Sequence, residues 1–307
     1  MKQKILITGA TGKVGEAVTN ILKKELLDVE LVLLTSDIKA IAPIKNQKVI
    51  QAFYEDVKWM KNLIYAEKPN VIINCAAMTN VDACEVDHKL AMNLNAILPD
   101  TLAKAAKVIE AHLISFSTDY IFDGENGPYD EDATPNPISF YGKSKLAGEN
   151  AIKVELNSNY TIIRTNVVYG TSSYGKSDFI NWLINNLENE KKLTIIDGQW
   201  CNPTYSEDIA WAVLKIIENK NFGTYNVAGK GYYNRFEIAE LVAEIFEYDD
   251  DLLTEIPSKD LVQKAKRPDK GGLIVLKAEA ELGIDFLDLK NGLIALKFMV
   301  NKKYEYN

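Results

Sequence analysis

The sequence predicts an α/β protein built on a doubly wound parallel sheet, with a smaller C-terminal lobe. An apolar, β-branched stretch at residues 4–8 runs straight into a turn with glycines at 9, 12 and 15, and a helical pattern follows over 16–26. Strand-like runs then alternate with helix-like runs as far as residue 165, the order expected of parallel strands joined by crossover helices. Beyond residue 165 the alternation loosens and no second glycine turn occurs.

In the first turn, spaced glycines allow a tight bend, a close backbone approach to a pyrophosphate, and close packing of helix on strand. The helix N-terminus then faces the phosphates with its partial positive charge. A Rossmann-type dinucleotide site is therefore expected at Gly9, Thr11, Gly12, Lys13, Val14 and Gly15. The second strand, 30–34, ends in Thr35-Ser36-Asp37. An acid at the end of this strand would hold the adenosine ribose of NAD. Here the acid is displaced by about two positions and hydroxyls stand in its place, which with Lys13 points to NADPH; Asp37 reaching the ribose would give NADH instead.

Asp56 precedes an apolar helical run at 57–64, which it can cap, and an adenine hydrogen bond is the alternative role. Residues 71–77 read as a buried strand whose small last residues leave room for a cofactor. A long helix over 87–110 is expected to break or kink at Pro99, and a strand over 112–117 leads into Thr118-Asp119-Tyr120. After a loop at 123–138, a helix starting near Ser139 carries Tyr141 and Lys145, and the strand 160–165 follows. Tyr and Lys four apart share one helix face, and an ammonium that close would lower the phenol pKa toward the neutral range. Gly9, Ala76, Thr118 and Thr165 stand at strand ends and should converge on one cleft. Helices are expected at 178–187, 206–220 and 236–246, with a short strand at 224–227. The expected division is a main domain of 1–165 with about 204–222, and a smaller lobe of 166–203 and 223–307 that reads the substrate.

The 307 residues are 47% hydrophobic and 25% charged, enough for a substantial core, and the net charge of −8 argues against nucleic acid or anionic membrane as a partner. The apolar N-terminal stretch is too short for a secretory signal, so a cytoplasmic protein is expected. His88 and His112 are the only histidines, and Cys75, Cys84 and Cys201 show no paired spacing. Neither a Ser-His-Asp site nor a metal site is expected, and proton transfer falls to Tyr141.

These residues resemble the extended short-chain dehydrogenase/reductase superfamily, and within it the dTDP-4-dehydrorhamnose reductase family. The resemblance spans nearly the whole chain. Its motifs are Gly9-x-x-Gly12-x-x-Gly15, Ala76-Ala-Met-Thr-Asn-Val-Asp82 with Glu85, Asn95-Ala96, Ser117-Thr-Asp-Tyr-Ile-Phe-Asp-Gly124, Tyr141-Gly-Lys-Ser-Lys-Leu-Ala-Gly-Glu149, Arg164-Thr165, Val168-Tyr-Gly170, Pro203-Thr204 and Arg267-Pro268. The resemblance implies reduction of a 4-keto sugar on a nucleoside diphosphate by NADPH or NADH. Tyr141 would be the general acid, Thr118 the hydrogen-bond partner of the carbonyl, and Lys145 the group that tunes Tyr141 and holds the nicotinamide ribose. Asp56, Val57, Ala76, Ala77 and Asn95 would line the cofactor, with Thr35 and Ser36 at its adenosine end. Thr79, Val81, Asp119, Tyr120, Asn166 and Arg267 would lie near the nucleotide sugar. The 87–110 and Tyr141 helices would form a homodimer face, as in related proteins. A regulatory subunit resembling the methionine adenosyltransferase β subunit is the non-catalytic alternative, and a sugar-nucleotide epimerase or dehydratase a third. Family members commonly carry Trp where this chain has Val167, which bears on the sugar.

Overall fold

The computed structural model describes residues 3–26, 28–38, 41, 46–175 and 177–305. The first half alternates strand and helix: β1 (Gln3–Thr8), α1 (Lys13–Glu25), β2 (Val29–Thr35), β3 (Gln47–Gln51), α2 (Val57–Glu67), β4 (Val71–Asn74), α3 (Val81–Cys84), α4 (His88–Met92), α5 (Leu98–Ile109), β5 (His112–Thr118), α6 (Phe140–Leu156) and β6 (Tyr160–Thr165). The remainder contains β7 (Val168–Tyr169), α7 (Phe179–Glu188), β8 (Leu193–Ile196), β9 (Thr204–Tyr205), α8 (Ser206–Asn219), β10 (Gly223–Asn226), α9 (Arg235–Phe246), β11 (Leu253–Ile256), α10 (Leu276–Leu282) and α11 (Leu289–Glu305).

Seven strands form one parallel sheet in the order β10-β6-β5-β4-β1-β2-β3. The sheet is apolar on both faces because helices cover both. Successive residues of β1 show this: Ile5 and Ile7 enter one core with α1 and α8, while Leu6 enters the other with α2 and α5. The strand order reverses between β1 and β4, so the crevice beyond their C-terminal ends is the switch point where ligands bind in such sheets.

The strand expected over 71–77 stops at Asn74, and the chain leaves the sheet where Ala76 and Ala77 begin the crevice wall. The 87–110 helix is interrupted at Pro99 as expected, and the interruption takes the form of a π turn at Asn93–Ile97 just before it. Proline has no N–H to return to the Asn95 carbonyl four residues earlier. β10, expected in the smaller lobe, is the seventh strand of the main sheet, with Thr224 opposite Ile162 in β6. Leu273, Val275, Ala278, Leu282 and Phe286 likewise pack into the core shared with α1 and α8. A separate core holds α7, α9 and the start of α11, through Ile180, Leu183, Ile238, Val242, Leu289 and Leu293. No described helix is long and apolar enough to cross a membrane.

Candidate active site

The glycine turn closes over the C-terminal end of β1. Gly9 takes φ of 61°, and a Cβ on Gly15 would stand 2.2 Å from the Gly9 carbonyl oxygen, so α1 reaches the turn only because residue 15 lacks a side chain. Gly12 caps α1 without a side-chain bond and its own amide donates to the Gly9 carbonyl at 2.9 Å, so the first-turn amides that follow have no capping side chain. The Tyr54 hydroxyl accepts the Gly9 amide at 2.7 Å and donates to the Leu34 carbonyl at 2.9 Å, fixing the turn to the end of β2. The Thr8 hydroxyl donates to Asn74 at 2.8 Å and accepts the Ala76 amide at 3.1 Å. A crevice with a glycine roof, a helix N-terminus and a small-residue wall fits the pyrophosphate of a dinucleotide.

Several residues expected at the cofactor have partners within the protein. The Lys13 ammonium lies 2.8 Å from the Gly170 carbonyl and 2.8 Å from the Asp178 carboxylate, so it ties the glycine turn to the start of α7. Thr35 is buried and its hydroxyl lies 3.0 Å from that of Thr11, whereas Ser36 is exposed beside it. Asp56 caps α2 through the Trp59 amide at 2.9 Å, with Val57 exposed next to it. Asn95 is fully engaged: it accepts the Met78 amide at 2.9 Å and donates to the Met78 carbonyl and the Ser144 hydroxyl, each at 3.0 Å. It thereby joins the Ala76–Ala77 wall to α6.

Helix α6 carries the reactive pair. Ser139 accepts the Gly142 amide at 3.2 Å and Glu85 accepts the Phe140 amide at 2.7 Å, so two acceptors satisfy the helix start. Tyr141, Ser144, Lys145, Gly148, Glu149 and Ile152 are buried, a spacing that makes one continuous inner face. A Cβ on Gly142 would stand 2.0 Å from the Tyr120 carbonyl oxygen, and one on Gly148 would stand 2.2 Å from that of Asn95. Gly142→Ala should therefore push α6 from the turn bearing Thr118 and cost about 1–3 kcal/mol of stability, read by denaturant unfolding, together with a loss of turnover.

Thr118 ends β5 opposite Thr165 of β6; its hydroxyl donates to Asp119 Oδ1 at 3.2 Å and accepts the Tyr120 amide at 3.2 Å, and it stands near enough to the Tyr141 phenol to oppose the rise in that group's pKa. The expectation that Lys145 lowers the Tyr141 pKa is corrected here. Burial pushes the phenol well above its ordinary value, Thr118 pulls it down only partly, and the Lys145 ammonium donates to the Phe116 carbonyl at 2.6 Å. Four residues of helix set two side chains on one face but do not make their ends meet. A neutral phenol is the form that donates a proton, so Tyr141 is suited to acid duty. Burial lowers Lys145 to about 8, against the field of Glu149. Its ammonium should lose its proton as pH rises through about 8, and kcat/KM for reduction should fall on that limb; a flat profile to pH 10 would contradict it.

Asp119 and Asn166, expected beside the substrate, are buried in a hydrogen-bond network with Asn202 and Gly272. Asp119 accepts from Gly272 N at 3.1 Å and Asn166 Nδ2 at 3.2 Å, and Asn166 donates to Asn202 at 2.9 Å. Val81, Met78, Tyr120 and Tyr141 share one apolar cluster, and Thr79 is exposed beside it. Tyr120 meets Tyr141 edge-on with ring centres 5.6 Å apart. Arg267 pairs with Asp82. Sequence reasoning missed Tyr54 and Arg235. Arg235 lies 4.8 Å above the Phe179 ring, and its charge opposes the burial that raises Asp119 and Tyr120. Its placement was legible in the Asn234-x-x-Glu237 capping box, which starts α9 at residue 235.

A site of this kind on this sheet is that of an NAD(P)H-dependent oxidoreductase of the extended short-chain dehydrogenase/reductase class. The chain belongs to the family described as RmlD substrate binding domain, whose model matches residues 3–300. It is 30% identical over 295 residues to the probable low-salt glycan biosynthesis reductase Agl14 of Haloferax volcanii, covering 95% of this chain and 96% of that one. It is 31% identical over 288 residues to the methionine adenosyltransferase 2 subunit beta of Bos taurus, covering 92% and 83%. Among solved structures, a dTDP-4-dehydrorhamnose reductase of Clostridium acetobutylicum superimposes with a TM-score of 0.84 at 33% identity, covering 97% and 100%. That of Bacillus anthracis, in complex with NADP, gives 0.87 at 26% identity, covering 97% and 100%.

Proposed function

We propose that the chain reduces the 4-keto group of a nucleotide-linked deoxy sugar with NADPH, converting dTDP-4-dehydro-L-rhamnose to dTDP-L-rhamnose. The observation that carries this reading is the convergence of three buried groups, Thr118 at the end of β5 and Tyr141 and Lys145 on the inner face of α6, with Lys145 bonded to the β5 carbonyl of Phe116. The dinucleotide would be held by the first-turn amides at Lys13 and Val14, the wall at Ala76 and Ala77, and the Tyr141–Lys145 face, with Ser36 at its adenosine end. Bound there, it would supply a hydride to the carbonyl carbon. Thr118 orients the carbonyl oxygen by hydrogen bonding and steadies the charge that develops on it. Tyr141 delivers its phenolic proton to that oxygen. Lys145, cationic below about 8, would offer donors to the ribose hydroxyls of the bound dinucleotide.

The sugar is the less constrained part. Val167 takes φ of 36°, unusual for a β-branched residue, and packs against the smaller lobe's core. A reductase for another nucleotide-linked keto sugar shares every step above. The likeness to a methionine adenosyltransferase subunit favours a second reading, a non-catalytic regulatory subunit on the same fold. NADPH oxidation with dTDP-4-dehydro-L-rhamnose and other nucleotide-linked keto sugars separates the two, and absence of turnover with all of them would sink the reductase reading. NMR of the product tells a reduced sugar from an epimer.

A further inference from the structure

Residues 265–273 run back along the loops of the main domain and are fastened there by several bonds. Lys270 N donates to the Gly124 carbonyl at 2.8 Å, Gly272 N to Asp119 at 3.1 Å, and Ala265 N to Asp82 Oδ1 at 2.9 Å. Arg267 sits within this segment, and Asp82 grips it end-on: Nη1 lies 3.1 Å from Oδ1 and Nη2 lies 2.7 Å from Oδ2. Nη1 also donates to the Ala265 carbonyl at 3.1 Å. A guanidinium has five N–H donors, and these contacts use three. The other two, on Nε and Nη2, lie along one edge of the planar group, and among the described residues that edge meets no acceptor. Two parallel donors on a rigid plane are the arrangement that takes a phosphate or carboxylate in bidentate fashion. The Arg267 side chain is 13% exposed, so the group is held firmly but still reachable. Its charge, with that of Arg235, is felt at the Tyr120 phenol next to Tyr141.

We infer that Asp82 is a positioning residue, holding Arg267 so that its free two-donor edge receives the diphosphate of the substrate. This rests on the reading of the chain as a nucleotide-sugar reductase. Asp82 spends its carboxylate on Ala265 N and the Arg267 guanidinium, so it would act on the substrate only through Arg267. It lies in α3, a few residues after the Ala76–Ala77 wall, and its carboxylate closes the 265–267 turn while aligning the guanidinium. One residue thus couples the crevice wall to the anion-binding group brought from 185 positions away in the chain.

The test titrates dTDP and, in parallel, UDP into the NADPH-loaded enzyme by calorimetry. Asp82→Asn should weaken the nucleoside diphosphate about tenfold, with NADPH affinity within about twofold of wild type. Asp82→Glu should recover part of the loss. Arg267→Met, which keeps Asp82, should lose as much, and the double variant little more, because the two act as one unit. An ion pair that only stabilised the fold would move both ligands together. Wild-type affinity for dTDP in Asp82→Asn, or equal losses of dTDP and NADPH, would overturn the inference. A wild-type enzyme that took neither dTDP nor UDP would count against the nucleotide-sugar reading itself, an outcome distinct from binding that ignores Asp82.

Discussion

Tyr141→Phe is expected to lower turnover of the keto sugar by about 10²–10⁴-fold, the usual contribution of a positioned general acid. The ring stays, so its packing with Val81, Met78 and Tyr120 stays, and only the phenolic proton is lost. NADPH affinity, measured by fluorescence, should change little, because the glycine crevice is built by β1, α1, Tyr54 and the Ala76–Ala77 wall. Burial keeps the phenol protonated well above neutral pH, so the wild-type acid is available across the physiological range. A Phe variant retaining more than about a third of wild-type turnover would remove Tyr141 from the proton step.

The second large effect is on stability. Arg164 of β6 holds Glu149 of α6 in a two-point pair, with Nε at 3.0 Å and Nη2 at 2.9 Å, and both side chains are almost fully buried. Arg164→Met leaves the Glu149 carboxylate without its main partner and should cost about 3–5 kcal/mol in denaturant unfolding near pH 7. Replacing both residues together, Arg164→Met with Glu149→Leu, should recover most of that loss, since the desolvation cost leaves with the pair. Burial opposes ionisation of Glu149, but the Arg164 hydrogen bonds outweigh it and hold the carboxyl below its ordinary 4.5. A folded pKa below the unfolded one means the contribution is fully present above about pH 4.5 and fades as pH falls through the folded value. The wild-type advantage over the double variant should therefore shrink on acidification. Glu149 also supports the charge of Lys145, so the double variant should lose activity at a lower pH than wild type on the alkaline limb.

Much of this was legible in the chain because its signals are local. Strand, glycine turn and helix occupy consecutive residues, and the inner face of α6 is set by helical spacing alone. β3 was not legible: Gln47, Lys48 and Gln51 give an edge strand with no fully buried residue, so neither an apolar run nor a clean alternation marks it. β10 was legible as a strand but not as a neighbour of β6, because a four-residue segment carries no mark of its pairing partner. The same limit explains the site. Thr118, Tyr141 and Lys145 stand in motifs, but the direction of the Tyr141 shift depends on burial, and the Asp82–Arg267 pair depends on how the last third of the chain folds back. Tyr54, which holds the Gly9 amide, carries no motif of its own.

The most direct test gives wild-type enzyme NADPH and dTDP-4-dehydro-L-rhamnose and follows nicotinamide absorbance while NMR reads the sugar. The expected result is stoichiometric NADPH oxidation with a new carbinol proton at C4 of the product, abolished in Tyr141→Phe. NADPH left unoxidised, or a sugar isomerised with its keto group intact, would contradict the assignment of Thr118 and Tyr141 to carbonyl reduction.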